Sequence, residues 1–250
     1  MGLSELCEGD TVTIRRSICG VWARNAWAAM SMAIVAVGCA KPEQSVRPGV
    51  NKEFEGKVDV QQWVERFEGE SRETYAYRDR IVAAMGLKPG MSVADIGAGT
   101  GFYSFLFGEQ VGPRGRVFAV DISDEFVAHI EAGARSKGLT NIQTVLCKAN
   151  SVELPPRSVD VAFICDTYHH FEFPKSTMRS LHRALKPGGQ VFIVDFIRIE
   201  GQSRDWILEH VRAGESVVRE EVESVGFRSE PLGSDMSCLK ENYMIRFRRL

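Results

Sequence analysis

The residues best suited to chemistry stand in one short run, Val93-Ala94-Asp95-Ile96-Gly97-Ala98-Gly99-Thr100-Gly101. An apolar segment enters a glycine turn, with an acid two residues before the first glycine. Glycines lack a Cβ and let the backbone approach a ligand closely, and a helix that follows presents unpaired N–H groups. Dinucleotide binders use G-x-G-x-x-G to set pyrophosphate on that helix N-terminus. Here the third glycine comes one residue early, giving G-x-G-x-G. Asp95 offers nothing to a pyrophosphate, whereas a ligand carrying an ammonium group would gain from it.

This arrangement resembles the first motif of the class I S-adenosylmethionine-dependent methyltransferases, and the likeness continues in register. Val117-Phe118-Ala119-Val120-Asp121 ends a second apolar run in an acid, 22 residues after Gly99. Asn150-Ser151-Val152-Glu153-Leu154-Pro155 is similar to the family's D-x-x-x-L-P segment, with Asn for Asp. Val159 to Asp166, then Thr167-Tyr168-His169-His170-Phe171, looks like the fourth motif, and Arg183 to Gly189 like the turn before strand five. The resemblance covers about residues 72–248 and is nearest to the ubiquinone/menaquinone-biosynthesis type. It implies S-adenosylmethionine as cofactor, with Asp95, Gly97, Ala98, Gly99, Thr100, Gly101, Asp121, Ile122, Asn150, Ser151 and Cys165 around it. Asp121 would accept the ribose hydroxyls, since adjacent hydroxyl donors need an acceptor. Ile122 would pack on adenine, and Asn150 would accept its amino proton.

Methyl transfer from a sulfonium asks for alignment, and for a base where the nucleophile carries a proton. His169 and His170 are the candidate bases, because an ordinary imidazole titrates near pH 6.5. Asp166 shares their loop. A packing role for these histidines is the competing reading. Cys147 and Cys165 lack the spacing of a thiolate trio for arsenite, no C-x-x-C suggests zinc, and no metal is expected. The segment Glu68–Arg78, with Tyr75 and Tyr77, would cover the site as a helical lid.

The elements around these residues follow an α/β pattern. Helical spacing over Val58–Met85 predicts two helices. Strands are expected over Ser92–Ile96, Arg116–Val120, Ile142–Leu146, Asp160–Cys165 and Gln190–Asp195, with helices over Phe102–Phe107, Glu125–Gly138 and Lys175–Leu185. Nearly all-apolar strands suit a parallel sheet covered on both faces. The fold class is a doubly wound, Rossmann-like sandwich. The family implies seven strands with the last antiparallel. Asp205–Val211 and Val217–Val225 look helical, and Tyr243–Phe247 alternates as an antiparallel strand.

The net charge of −2, with 44% apolar and 26% charged residues, describes an ordinary globular chain without a basic stripe for nucleic acid. The charge is uneven, being +1 over residues 1–54 and −3 over residues 55–250. Residues 1–40 hold Arg15-Arg16, the apolar run Ala26–Gly38 and Ala36-Val37-Gly38-Cys39, a pattern like a lipoprotein or twin-arginine signal. A real signal implies export or membrane attachment at Cys39; an overlong reading frame implies a cytoplasmic protein. Residues 41–54 read as a linker and 55–250 as one catalytic domain. The expected partner is a small-molecule or lipid-like acceptor. The alternatives are a dinucleotide-binding oxidoreductase and a non-catalytic cofactor-binding domain.

Overall fold

The computed structural model describes residues 42–250. The signal-like segment over residues 1–40, Cys39 included, lies outside the described residues. Three helices, not two, precede the sheet: α1 (Val60–Phe67), α2 (Glu73–Ala76) and α3 (Arg78–Met85). The expected lid helix Glu68–Arg78 is therefore a turn, the four residues of α2 and the start of α3. α3 stops at Gly86, whose φ of +62° is left-handed and cheap only for glycine.

β1 (Ser92–Ile96), α4 (Phe102–Val111), β2 (Arg116–Asp121), α5 (Asp124–Ser136), β3 (Ile142–Leu146) and β4 (Val159–Cys165) then alternate. α6 (Pro174–Ala184), β5 (Leu185–Phe196), α7 (Asp205–His210), α8 (Glu215–Glu223), β6 (Phe227–Glu230) and β7 (Asn242–Arg249) complete the chain. The strands form one seven-stranded sheet in the order β3-β2-β1-β4-β5-β7-β6. Every pairing is parallel except the two that β7 makes, with β5 and β6. β5 begins earlier than expected because Leu185 already pairs with Val159, across an irregularity that admits the Pro187-Gly188-Gly189 turn.

Alternate side chains feed two cores. Ala94, Ile96, Phe118, Ala162 and Ile164 meet Met178 and Leu181 of α6 and Val218 and Val222 of α8. On the opposite face Val93, Val117, Val161 and Phe163 meet Phe107 and Val111 of α4 and Ile81 and Met85 of α3. Burial on both faces of the central strands is what their continuous apolar runs require, while the edge strand β3 stays partly exposed. Strand order reverses between β1 and β4, and the crevice beyond their carboxyl ends is where such sheets bind ligands.

Residues 42–54 are not a free linker. Glu43 accepts from the backbone N–H of Lys175 (3.0 Å) and Ser176 (2.6 Å), capping α6 where Pro174 begins it. Val46 and Gly49 donate backbone N–H groups to Glu172, and Asn51 is buried. Phe54 packs its ring 5.1 Å from that of Trp63 and 5.4 Å from that of His170.

Candidate active site

A cavity of about 420 Å³ occupies the crevice at the strand reversal. The glycine turn is its first wall. Gly97, Gly99 and Gly101 all take left-handed φ, at +70°, +54° and +81°, which the apolar strand–turn–helix transition demands. The N–H groups of Gly97 and Ala98 both donate to the Val120 carbonyl, holding the turn against β2. Gly101 starts α4, and a Cβ there would lie 2.8 Å from Ile130 Cγ1. It serves packing and does not line the cavity. Gly97, Ala98, Gly99 and Thr100 do line it.

Two buried carboxylates flank the turn. Asp121 accepts from Gly99 N–H (2.7 Å) and Ser123 N–H (3.0 Å), so the acid ending β2 also fixes the glycine turn. Burial pushes its pKa up against those backbone donors. Asp95 accepts from Ser104 Oγ at 2.6 Å. Burial raises Asp95 to about 7, the Ser104 hydrogen bond opposes the rise, and the Asp121 charge adds to it. No ion pair compensates Asp95 among the described residues.

The opposite wall belongs to the loop after β4. Asp166, at φ +47°, is tied by Arg72 in an ion pair, by Thr74 Oγ1 (3.2 Å) and by Asn242 Nδ2 (2.7 Å). Burial raises its pKa while Arg72 opposes the rise. His169 is buried, with Nδ1 2.7 Å from Asp195 Oδ1 and its backbone N–H on Asp195 Oδ2 at 3.1 Å. His170 Nε2 lies 3.2 Å from His210 Nε2. Burial and the neighbouring imidazoles hold His170 down to about 2 and His210 to about 4, so both rings are neutral at neutral pH. Phe54, Trp63, Phe67, Phe126, Phe196 and Trp206 supply the apolar lining.

The family model for the methyltransferase domain matches residues 87–242, a stretch running from the end of α3 to the start of β7. The chain belongs to the S-adenosylmethionine-dependent methyltransferases. It is similar to the ubiquinone/menaquinone biosynthesis C-methyltransferase UbiE of Shewanella sp. strain W3-18-1, 29% identical over 121 residues and 48% of each chain. The chain thus spans about half the length of the curated relatives it matches. A solved S-adenosylmethionine-dependent methyltransferase from Aquifex aeolicus is 26% identical, with a TM-score of 0.66, over 78% of this chain and all of that one. The [4+2]-cyclase SpnF, 20% identical with a TM-score of 0.55 over 77% of this chain and 65% of that one, shares the fold.

The cavity suits the cofactor of this methyltransferase. Its volume falls in the range of small-ligand sites, about 300–1,000 Å³. The uncompensated Asp95 carboxylate asks for a cation, and the cofactor carries an ammonium group. Ile122, Ser151 and Cys165 line the cavity as the motifs imply, but Asn150 is exposed and does not reach it; Lys148, Ala149 and Ser151 line that edge instead. Tyr75 lines the cavity, whereas Tyr77 is exposed outside it. Burial pushes Cys147 up to about 12 and Cys165 well above the usual thiol range, so neither is a thiolate at neutral pH. Arg72, Asp195, His210, Phe54 and Trp63 were not legible as site residues, because each meets the site only through the fold.

Asp95 is expected to make cofactor affinity pH-dependent. An ammonium ligand favours the ionised carboxylate, so binding releases a proton wherever free Asp95 is protonated. With the free group titrating at about 7, S-adenosylhomocysteine should bind about tenfold more weakly at pH 6 than at pH 8. Calorimetry in buffers of different ionisation heat checks both affinity and proton release. A flat profile would show that Asp95 does not meet the ammonium. The same shift acts on the free protein with the opposite sense. A raised acid pKa favours folding at low pH, and that contribution is lost as pH rises from about 4 to about 7.

Proposed function

We propose that the chain methylates a small, mostly apolar or lipid-like acceptor, held between the aromatic wall and His169. The carrying observation is the Asp195–His169 pair, a buried carboxylate fixing one imidazole at the edge of an otherwise aromatic chamber. Bound S-adenosylmethionine supplies an activated methyl on a sulfonium. Asp95 and Asp121 would hold its amino-acid and ribose ends, with the Gly97–Thr100 turn between them. Asp195 leaves His169 Nε2 as the free nitrogen, positioned to meet the acceptor atom. Phe196, Trp206, Phe54 and Trp63 exclude water and offer flat apolar faces to the acceptor. Asp166 is assigned a positioning role, since its carboxylate already serves three donors. The role of the UbiE relatives in ubiquinone and menaquinone biosynthesis agrees with an apolar ring-bearing acceptor.

Labelled S-adenosylmethionine incubated with phenols, quinols and prenylated rings, against protein and nucleic acid, tests the acceptor class. With an accepted compound, His169→Ala should cut turnover by about 100-fold or more while S-adenosylhomocysteine affinity stays within about threefold. Label found only in macromolecules, or turnover unchanged in the variant, would reject this assignment.

A further inference from the structure

We propose that His169, His170 and His210 form a binding site for one divalent transition-metal ion of the Zn²⁺, Co²⁺ or Ni²⁺ type. The three residues come from the 3-10 turn after β4 and the last residue of α7, 40 positions apart. One ring nitrogen of each lies within 4.8 Å of those of the other two. The His170 Nε2 to His210 Nε2 distance of 3.2 Å matches what two nitrogens adopt on one tetrahedral ion, about 3.3 Å for bonds of about 2.0–2.1 Å.

Hydrogen bonding within the trio leaves groups over. Among the hydrogen bonds of the described residues, His170 Nε2 meets only His210 Nε2. His169 Nδ1 is committed to Asp195, and no hydrogen bond engages its Nε2 among the described residues. A carboxylate that orients one imidazole nitrogen while the other faces a common centre is the supporting shell of histidine metal sites. Asp195 is itself fixed by the N–H groups of His169 and Phe196, and its side chain is 2% exposed.

The donor set chooses the ion. Three imidazole nitrogens, without a ligating carboxylate or thiolate, suit borderline transition metals and disfavour Mg²⁺ and Ca²⁺. All three histidines line the cavity, so three protein ligands leave the fourth position facing it. That position would take an oxygen or sulfur donor of the methyl acceptor, so that with the ion bound His169 Nε2 would act on the acceptor through it; this last clause alone rests on the proposed function. The sequence, without a C-x-x-C pair, points to no metal, and His210 stands 40 positions from His170.

The test uses the full chain freed of metal by chelation. Titration with Co²⁺ alone should yield the visible spectrum of a tetrahedral nitrogen site, saturating at one ion per chain, and Zn²⁺ should displace it. His210→Ala should weaken Co²⁺ binding by about 100-fold or more, and Asp195→Asn by about tenfold or more. His182→Ala, at a ring packed on Phe227, should change nothing. Thermal melts and S-adenosylhomocysteine binding show that each variant is folded. Absence of the Co²⁺ spectrum, or its survival in both His210→Ala and His170→Ala, would overturn the metal site. Loss of S-adenosylhomocysteine binding with the metal site intact would count instead against the cofactor assignment.

Discussion

Replacing Gly97 with Ala is expected to destabilise the protein by about 3 kcal/mol or more and to abolish cofactor binding. Two effects add. Gly97 sits at φ +70°, where an L side chain costs about 1–2 kcal/mol. The new Cβ would also lie 2.2 Å from Thr167 Cγ2, 2.6 Å from Thr167 Oγ1 and 2.9 Å from Thr167 Cβ. Neither side can simply step aside. The Gly97 N–H is held by the Val120 carbonyl at 2.8 Å, and Thr167 Oγ1 donates to the Cys165 carbonyl at 2.9 Å. Relief therefore has to come from moving the turn that faces the cofactor. Gly99→Ala is the contrast, because its Cβ would meet only the Phe67 ring at 3.6 Å and pays the backbone cost alone. Thr167→Ala removes the two nearest atoms and should restore about 1 kcal/mol or more to Gly97→Ala. Chemical denaturation of the four variants, with S-adenosylhomocysteine binding, measures both. Wild-type stability in Gly97→Ala would refute the steric account.

The same glycine shows what a linear sequence reveals. Gly97, Gly99, Gly101 and Asp121 announce themselves by spacing alone, because a turn between a strand and a helix is a local event and its demands repeat at fixed offsets. The apolar strands were equally legible, since a parallel sheet buries them on both faces. The partners that complete the site were not. Asp195 meets His169 across 26 positions, Arg72 meets Asp166 across 94, and His210 meets His170 across 40. Nothing in the neighbourhood of these residues in sequence distinguishes them from solvated charges. Asn150 shows the opposite case: it occupies the motif position, but the turn around the Lys148–Ser151 bridge presents it to solvent. Residues 42–54 read as a linker because their anchors, the Glu43 and Asn51 side chains and the Gly49 backbone, carry no apolar period. Their hydrogen bonds to the α6 N-terminus and the β4 loop exist only once the sheet has formed.

Asp166→Ala should open the roof of the site and remove about 3 kcal/mol of stability. The figure sits at the lower end of the 3–5 kcal/mol for breaking a buried pair, because Arg72 keeps some solvent contact at 23% exposure. Asp166 joins the start of α2, through Arg72 and Thr74, to Asn242 at the start of β7. Glu73 repeats the link by accepting the backbone N–H groups of Lys240, Glu241 and Asn242. Ala removes the acceptor from three donors and cannot repay the left-handed φ of +47° that Asp tolerates. Asp166→Asn retains one acceptor oxygen and the same backbone tolerance, so its loss should be roughly half. Hydrogen exchange separates a clasp from a proton acceptor. A clasp predicts lost protection around residues 70–78 and 240–243, weaker cofactor binding, and a core as protected as before. A proton acceptor predicts unchanged exchange and cofactor affinity with turnover collapsed in both variants. The three converging donors favour the first outcome, because a cation, a hydroxyl and an amide already occupy the carboxylate oxygens that would have to take a substrate proton.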